Sequence, residues 1–362
     1  MLGLCTIKLF LNDLDLRPII PHTISMKSLR VGLNGFGRIG RAIARIAASR
    51  SYFDLAAINT SSTTPEQLAY GLKYDSVYRM FDKPVEAHDD GISVDGKFIK
   101  SYMIRNPHEI PWQDHDIDVV IDCTGVFEDR ESLQGHLHGS VKRVIVTNPV
   151  KDPTIGHIVL GVNDDVFDFG PADIISNASC TTNCAAVMVK ILQEKFGIEF
   201  GFVTTAHAYT SSQSLVDNKA DKPTRGRAAA LSIIPTTTGA SDAVCKVTGL
   251  PAECFGGMSL RVPTPVGSIT DLMCTLKKDA TVEEINAIFK KRASGPLKGI
   301  LAYEDTPLVS SDYIGNPHSC IFDANYTQVV HGRNVKVFGW YDNEWGYSNR
   351  VVELVGKLAN IE

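Results

Sequence analysis

Residues 29–59 read LRVGLNGFGRIGRAIARIAASRSYFDLAAIN, and the order of elements within them decides the fold. LRVGLN (29–34) is short, apolar and closed by glycine, as a buried strand is. Gly35, Gly37 and Gly40 follow in the spacing G-x-G-x-x-G. Beyond them Ile39, Ala42, Ile43 and Ile46 recur at helical spacing. DLAAIN (54–59) is a second strand. The glycines thus lie between a strand and a helix of one βαβ unit, the context in which this spacing has a meaning. Gly35 permits a tight turn, Gly37 lets a pyrophosphate approach the backbone, and Gly40 lets the helix pack close to the strand. The helix N-terminus then faces the phosphates. A dinucleotide site is expected; the alternative is a glycine-rich turn in some other α/β protein.

Working outward, DVVIDCTG (118–125), RVIVTNP (143–149) and ADIISNAS (172–179) read as further strands. Past residue 186 the pattern changes to long β-rich runs, FGFVTTAHAYT, MSLRVPTP, GSITDLMCTLKK and NVKVFGWYD, with helical stretches near 240–247 and 282–293. EWGYSNRVVELVGKLAN closes the chain as an amphipathic helix. The expected fold class is α/β: a Rossmann-type doubly wound parallel sheet, plus an α+β domain on a mixed or antiparallel sheet. The expected bounds are 29–179 for the dinucleotide-binding domain and 180–342 for the catalytic domain. Residues 343–362 form a helix packing back on the first domain. Residues 1–28 carry acids at Asp13 and Asp15, no basic-then-apolar order and few arginines, so they suit neither a secretory signal nor a transit peptide. They are expected to be an extension, disordered or not native, with Met26 as a possible true start.

A chain of 362 residues with 44% hydrophobic and 21% charged residues is long enough for two cores. A net charge of -5 gives no sign of a nucleic-acid surface. No run of about 18 apolar residues is present to span a membrane. The eight cysteines are scattered without a framework spacing, which favours a reducing compartment.

SNASCTTNC (176–184) carries the chemistry. Cys180 follows a strand and precedes a helical run, so it sits near a helix N-terminus, where an anion is favoured. A thiol of ordinary pKa is only about 3% ionised at pH 7, and such a position or a cationic His lowers its pKa. Ser179, Thr181, Thr182 and Asn183 supply groups that bind an oxyanion or phosphate. A Cys-x-x-x-Cys metal arm lacks a second pair of ligands, and no metal is expected. A disulfide four residues apart on one helix is geometrically poor, and Cys184 reads as a packed helical residue. A nucleophilic Cys needs a base. Of ten histidines, His207 stands out at the end of FVTTAHAYT, although spacing alone fits a satisfied core His better.

VGLNGFGRIGRA, SNASCTTNC, TTAHAYTSSQ, IIPTTTGA, RVPTP and WYDNEWGYSNR, in this order, resemble the phosphorylating glyceraldehyde-3-phosphate dehydrogenase family from about residue 29 to the C-terminus. The resemblance implies Cys180 as nucleophile and His207 as base, forming a thiolate–imidazolium pair. It implies oxidation of glyceraldehyde 3-phosphate through a hemithioacetal and a thioester, released by inorganic phosphate as 1,3-bisphosphoglycerate. Thr210 and Arg261 match the substrate-phosphate pocket. Ser179, Thr238 and Gly239 match the pocket for the attacking phosphate, with Thr181 beside them. Arg38 and Ile39 match backbone contacts to the pyrophosphate, Thr124 and Gly125 border the adenosine side, Asn343 and Tyr347 match the nicotinamide end, and Arg105 is a further expected cofactor-binding residue. The resemblance also implies a homotetramer; a cytoplasmic protein of glycolysis or gluconeogenesis with no dedicated nucleic-acid or membrane partner is expected.

Two departures concern the cofactor. NAD-preferring members carry Asn-Asp at the end of the second strand, where an acid holds the ribose hydroxyls. Here Asn59-Thr60 stands, followed by Ser61, Ser62, Thr63 and Thr64. Loss of the carboxylate removes repulsion against a 2′-phosphate. In SLVDNKADKPTRGRAAA (214–230), matching a loop that reaches a neighbouring subunit's cofactor, Asn218-Lys219 replaces a frequent Leu-Pro, which puts Lys219 within reach of that phosphate; the alternative is a solvated loop lysine. The register of this loop stays open. The expected cofactor is NADP, alone or alongside NAD. Erythrose-4-phosphate dehydrogenase is the nearest rival enzyme, disfavoured by HAYTSSQ, and a catalytically silent binding protein is the rival from another class.

Overall fold

A computed structural model describes residues 28–359, so the expectation for residues 1–28 lies, Ser28 apart, outside the described residues. β1 (Arg30–Asn34) runs into the glycine loop, α1 (Arg38–Ala47) returns, and β2 (Asp54–Thr60) pairs parallel with β1. Packing demands two of the three glycines. Gly35 has φ +96°, and a Cβ there would lie 2.9 Å from the backbone of Cys123 and Thr124. A Cβ on Gly40 would collide with the Gly35 carbonyl oxygen. A Cβ on Gly37 would meet nothing within 4 Å, so the protein itself makes no demand at that position.

The first sheet continues through α2 (Pro65–Lys73), β3 (Val85–His88), β4 (Gly91–Val94), β5 (Lys97–Met103), β6 (Val119–Asp122), α3 (Arg130–Leu133), β7 (Arg143–Val146), β8 (Gly156–His157) and β9 (Ile174–Ser176). Its order is β3-β4-β5-β2-β1-β6-β7-β9-β8. All pairs are parallel except β3–β4 and β4–β5, which add an antiparallel edge to the doubly wound core. The expected strands at 118–125, 143–149 and 172–179 all form but end sooner. Asp122 turns the chain by accepting the Thr124 N–H at 3.1 Å, and Ala178 takes φ +53°. β1 lies between β2 and β6, so the connections diverge at its carboxyl end. That is where the crevice of an open α/β sheet forms.

α4 (Cys180–Phe196) leads into the second sheet: β10 (Ile198–Ala208), β11 (Ile234–Thr236), α5 (Ala240–Thr248), β12 (Phe255–Val262), β13 (Ser268–Leu276), α6 (Val282–Ser294), β14 (Leu301–Glu304), β15 (Cys320–Val330) and β16 (Asn334–Tyr341). The order is β11-β12-β10-β13-β16-β15-β14. The helices cover one face, where Val187, Met188 and Ile191 of α4 meet Val203, Leu272 and Phe322. Each such side chain, fully buried, contributes about 1.5–3 kcal/mol. The other face is open: Phe202, Met258 and Met273 are 55%, 43% and 45% exposed. α7 (Trp345–Ala359) leaves β16 and returns to the first sheet, burying Val351, Val352, Val355 and Leu358 in the cluster that holds Ile43 and Ile46 of α1.

Candidate active site

The carboxyl end of β1 opens into a cavity of about 570 Å³, lined by Gly35, Gly37, Asn59, Thr60, Ser61, Thr63, Arg105 and Thr124 among others. α1 begins there with Gly37 at its cap, no capping side chain and no acid in its first turn. Its first N–H groups are therefore left for an anionic ligand. The open space over Gly37 and the uncapped helix fit a pyrophosphate, and so a dinucleotide. The Arg38 side chain turns elsewhere, onto Asp75 at 2.8 Å and Glu344 at 2.6 Å, so only its backbone remains for the loop. Ile39 follows in the first turn of α1 and packs partly buried against the first core.

Asn59 is a structural residue. It donates to Asn34 Oδ1 at 2.7 Å and to the Ile104 carbonyl at 2.8 Å, and its own oxygen accepts the Ile104 N–H. Thr60 is 7% exposed and accepts the Thr63 N–H at 3.1 Å, which closes a local turn. Arg105 is exposed on the cavity wall and makes no hydrogen bond or ion pair among the described residues. Thr124 is held by Asp122 at 2.7 Å, and Gly125 beside it has φ +66°. Lys219 is exposed on its loop and lines neither this cavity nor the next.

A second cavity, about 130 Å³, holds Ser179, Cys180, Thr181, His207, Thr237, Thr238, Gly239, Ser259 and Arg261. Ser179 caps α4 by accepting the Thr182 N–H at 3.1 Å, which sets Cys180 as the first helical residue. Inward-facing residues of β10 alternate, so Val203 and Thr205 are followed by His207 at the end of the strand, opposite Arg261 of β12. Cys180 Sγ lies 3.3 Å from His207 Nε2. Gly239 opens α5 onto the same cavity, so two helix N-termini and one guanidinium converge on it. Such a place suits a phosphate.

His207 Nδ1 has two neighbours, the Ala208 carbonyl at 2.7 Å and Arg261 Nη1 at 2.6 Å. The carbonyl needs an N–H at Nδ1; the guanidinium can only donate, and it has the same carbonyl as acceptor at 3.1 Å. With Nδ1–H on Ala208, Nε2 carries the lone pair that receives the thiol proton. Burial pushes the Cys180 thiol up to about 11, against the pull of Arg261 and of the Thr181 and Cys180 amides. Burial, with Arg261 adding to it, pushes His207 down to about 3. Burial thus works against the ion pair that the resemblance implies, while the head of α4 and Arg261 favour the thiolate.

Of the expected phosphate ligands, Thr181 lines the cavity with its hydroxyl engaged and Thr210 lies outside it. Thr181 spends its hydroxyl proton in a chain: Thr205 donates to the Ile269 carbonyl, Tyr341 to Thr205, and Thr181 to Tyr341. Thr210 lies beyond β10, bonded to Ser212 at 3.0 Å and outside the cavity lining. Ser179, Thr238, Gly239 and Arg261 come together as expected. At the other end, the Tyr347 hydroxyl donates to the Ala178 carbonyl at 3.2 Å, and Asn343 is 5% exposed beside β13. Sequence reasoning missed Ser259 and Ser268, because a buried serine in a β run carries no pattern of its own. No group of three or more metal-ligating side chains occurs among the described residues.

A family model of the glyceraldehyde 3-phosphate dehydrogenase NAD binding domain matches residues 29–130, and the model of the C-terminal domain of that family matches residues 179–343. The chain is 46% identical over 331 residues to glyceraldehyde-3-phosphate dehydrogenase 2 of Bacillus subtilis, covering 91% of this chain and 97% of that one. It is 49% identical over 338 residues to glyceraldehyde-3-phosphate dehydrogenase of Borreliella burgdorferi, covering 91% and 100%. With the Geobacillus stearothermophilus enzyme of the same name it shares 46% identity over 333 residues, 92% of this chain and 99% of the relative.

Proposed function

The chain belongs to the glyceraldehyde-3-phosphate dehydrogenase family, and from that premise we propose how its residues oxidise glyceraldehyde 3-phosphate to 1,3-bisphosphoglycerate, reversibly and with inorganic phosphate. The observation that carries the reading is the 3.3 Å contact of Cys180 Sγ with His207 Nε2 at the head of α4. His207 takes the thiol proton as sulfur attacks the aldehyde carbon, giving a hemithioacetal on Cys180. When bound, the nicotinamide supplies the acceptor for the hydride whose loss turns that adduct into a thioester. Arg261 and the N-termini of α4 and α5 hold phosphate where its oxygen meets the thioester carbonyl. Cys180 leaves as thiolate and recovers its proton from His207.

The cofactor is a nicotinamide dinucleotide, and within that class we favour NADP. Thr60 puts no carboxylate in the cavity, and Arg105 stands there with its guanidinium free to meet a 2′-phosphate. Lys219 serves that phosphate only across a subunit boundary, since it lies off both cavities of its own protomer. The open apolar face with Phe202, Met258 and Met273 supports association of copies, and a homotetramer is the assembly we propose. The seven described cysteines are all free, which supports a reducing compartment, the cytoplasm. No helix among the described residues is long and apolar enough to cross a membrane. For the domains we keep bounds of 29–179 and 180–342, with the helix from 343 returning to the first.

Initial rates with glyceraldehyde 3-phosphate and phosphate, titrating NAD and NADP separately, test this reading. A higher kcat/KM with NADP supports Thr60 and Arg105 as the 2′-phosphate side. A strong preference for NAD overturns the cofactor assignment alone. No turnover with either, in folded protein with a free Cys180 thiol, overturns the catalytic reading.

A further inference from the structure

Ser268 opens β13 and is 1% exposed. Its Oγ lies 3.1 Å from the Ala208 N–H and 3.1 Å from Asn343 Oδ1. A serine hydroxyl has one hydrogen and two lone pairs. The Ala208 N–H can only donate, so it occupies a lone pair. Asn343 Oδ1 can only accept, so it takes the hydroxyl hydrogen. The Gly267 N–H donates to the same oxygen at 3.1 Å, from a residue held at φ +92°. With two donors on Oδ1, the Asn343 Nδ2 is turned away from both and has no hydrogen-bond acceptor among the described residues. A flipped amide would set its NH₂ against the Gly267 N–H and the Ser268 hydrogen. Ala208 is also the residue whose carbonyl meets His207 Nδ1, so one hydroxyl joins the strand of the base to the amide of Asn343.

We propose that Ser268 is a positioning residue that locks the Asn343 amide with Nδ2 outward, so that the site selects a carbonyl oxygen on the nicotinamide. This rests on the reading of Asn343 as the residue at the nicotinamide end. It assigns the selectivity for that oxygen to a side chain that touches no ligand. An outward Nδ2 recognises the C=O of a carboxamide or of an acetyl group alike. An outward Oδ1 recognises only the NH₂ of a carboxamide and repels an acetyl oxygen. Without the Ser268 hydroxyl the flip is opposed by Gly267 alone.

The test is equilibrium binding, by calorimetry, of the oxidised dinucleotide and of its 3-acetylpyridine analogue to the wild type, Ser268→Ala and Asn343→Ala. Alkylation of Cys180 by iodoacetamide is followed in parallel. Loss of one hydrogen bond predicts that Ser268→Ala weakens the carboxamide cofactor roughly threefold to tenfold and the acetyl analogue by a further factor of about three or more. Asn343→Ala weakens both ligands alike, and alkylation stays within about twofold of wild type in Ser268→Ala. If Ser268→Ala leaves both affinities unchanged, or lowers both by one factor, the proposal is overturned. If Asn343→Ala leaves both affinities intact, the assignment of Asn343 falls first and the role of Ser268 with it. Should the alanine variant fold poorly, Ser268→Cys, with a weak donor of similar size, gives the same comparison.

Discussion

Replacing His207 by asparagine removes the proton acceptor while keeping a small polar side chain at the end of β10. The cost follows from the surroundings of Cys180. Burial pushes the thiol up, so without an adjacent base only a small fraction of molecules carries thiolate at pH 8. In the wild type His207, 3.3 Å from sulfur and kept neutral by burial and by Arg261, accepts the proton during attack. Acylation in His207→Asn is therefore expected to fall by roughly 10³ at pH 8, within the range of general-base effects. The sign with pH follows too. The variant depends on solvent-generated thiolate, so its rate rises about tenfold per pH unit toward the thiol pKa. The wild type stays nearly flat between about pH 6 and 9. Stopped-flow absorbance of the first turnover isolates acylation from release. A variant within tenfold of the wild type, or one with a flat pH profile, would refute the assignment of His207 as base.

Arg261→Lys keeps a charge but loses the fork, and KM for phosphate should rise about tenfold to a hundredfold with acylation less affected; an unchanged KM removes Arg261 from the phosphate site. Gly37→Ala should melt like the wild type yet lose most cofactor affinity, since only a ligand fills the space above it, whereas Gly40→Ala should lower Tm by several degrees through its collision with Gly35. Equal melting of the two variants would contradict the close-packing argument. Thr60→Asp returns a carboxylate to the cavity wall and should lower kcat/KM for NADP about tenfold or more relative to NAD; an unmoved ratio places the 2′-phosphate elsewhere.

The parts of this molecule that could be read in advance are those where local chemistry and long-range packing agree. The glycine spacing is meaningful because Gly35 and Gly40 are required by their own neighbours, and Ser179 announces the start of α4 by capping it. The antiparallel edge formed by β3, β4 and β5 left little trace, since β3 and β4 are short and the outermost strand is largely exposed. His207 illustrates a different limit. Its pattern is that of a core residue, and only the pairing of β10 with β12 and the head of α4 brings it to Cys180 and Arg261. The electrostatics of the pair are hidden for the same reason: a helix N-terminus is visible in a sequence, but the burial that works against it is not. Thr181 shows how a residue at the expected place can have its proton engaged by Tyr341, some 160 positions away.

The central claim is that Cys180 carries the acyl group. It is tested most directly by mixing the protein with glyceraldehyde 3-phosphate and cofactor in the absence of phosphate, then measuring the intact mass and mapping the modified peptide. The account predicts a burst of one reduced cofactor per subunit and one 3-phosphoglyceroyl group on Cys180, released when phosphate is added. A full burst with Cys180 unmodified, or the same burst from Cys180→Ser, would contradict it.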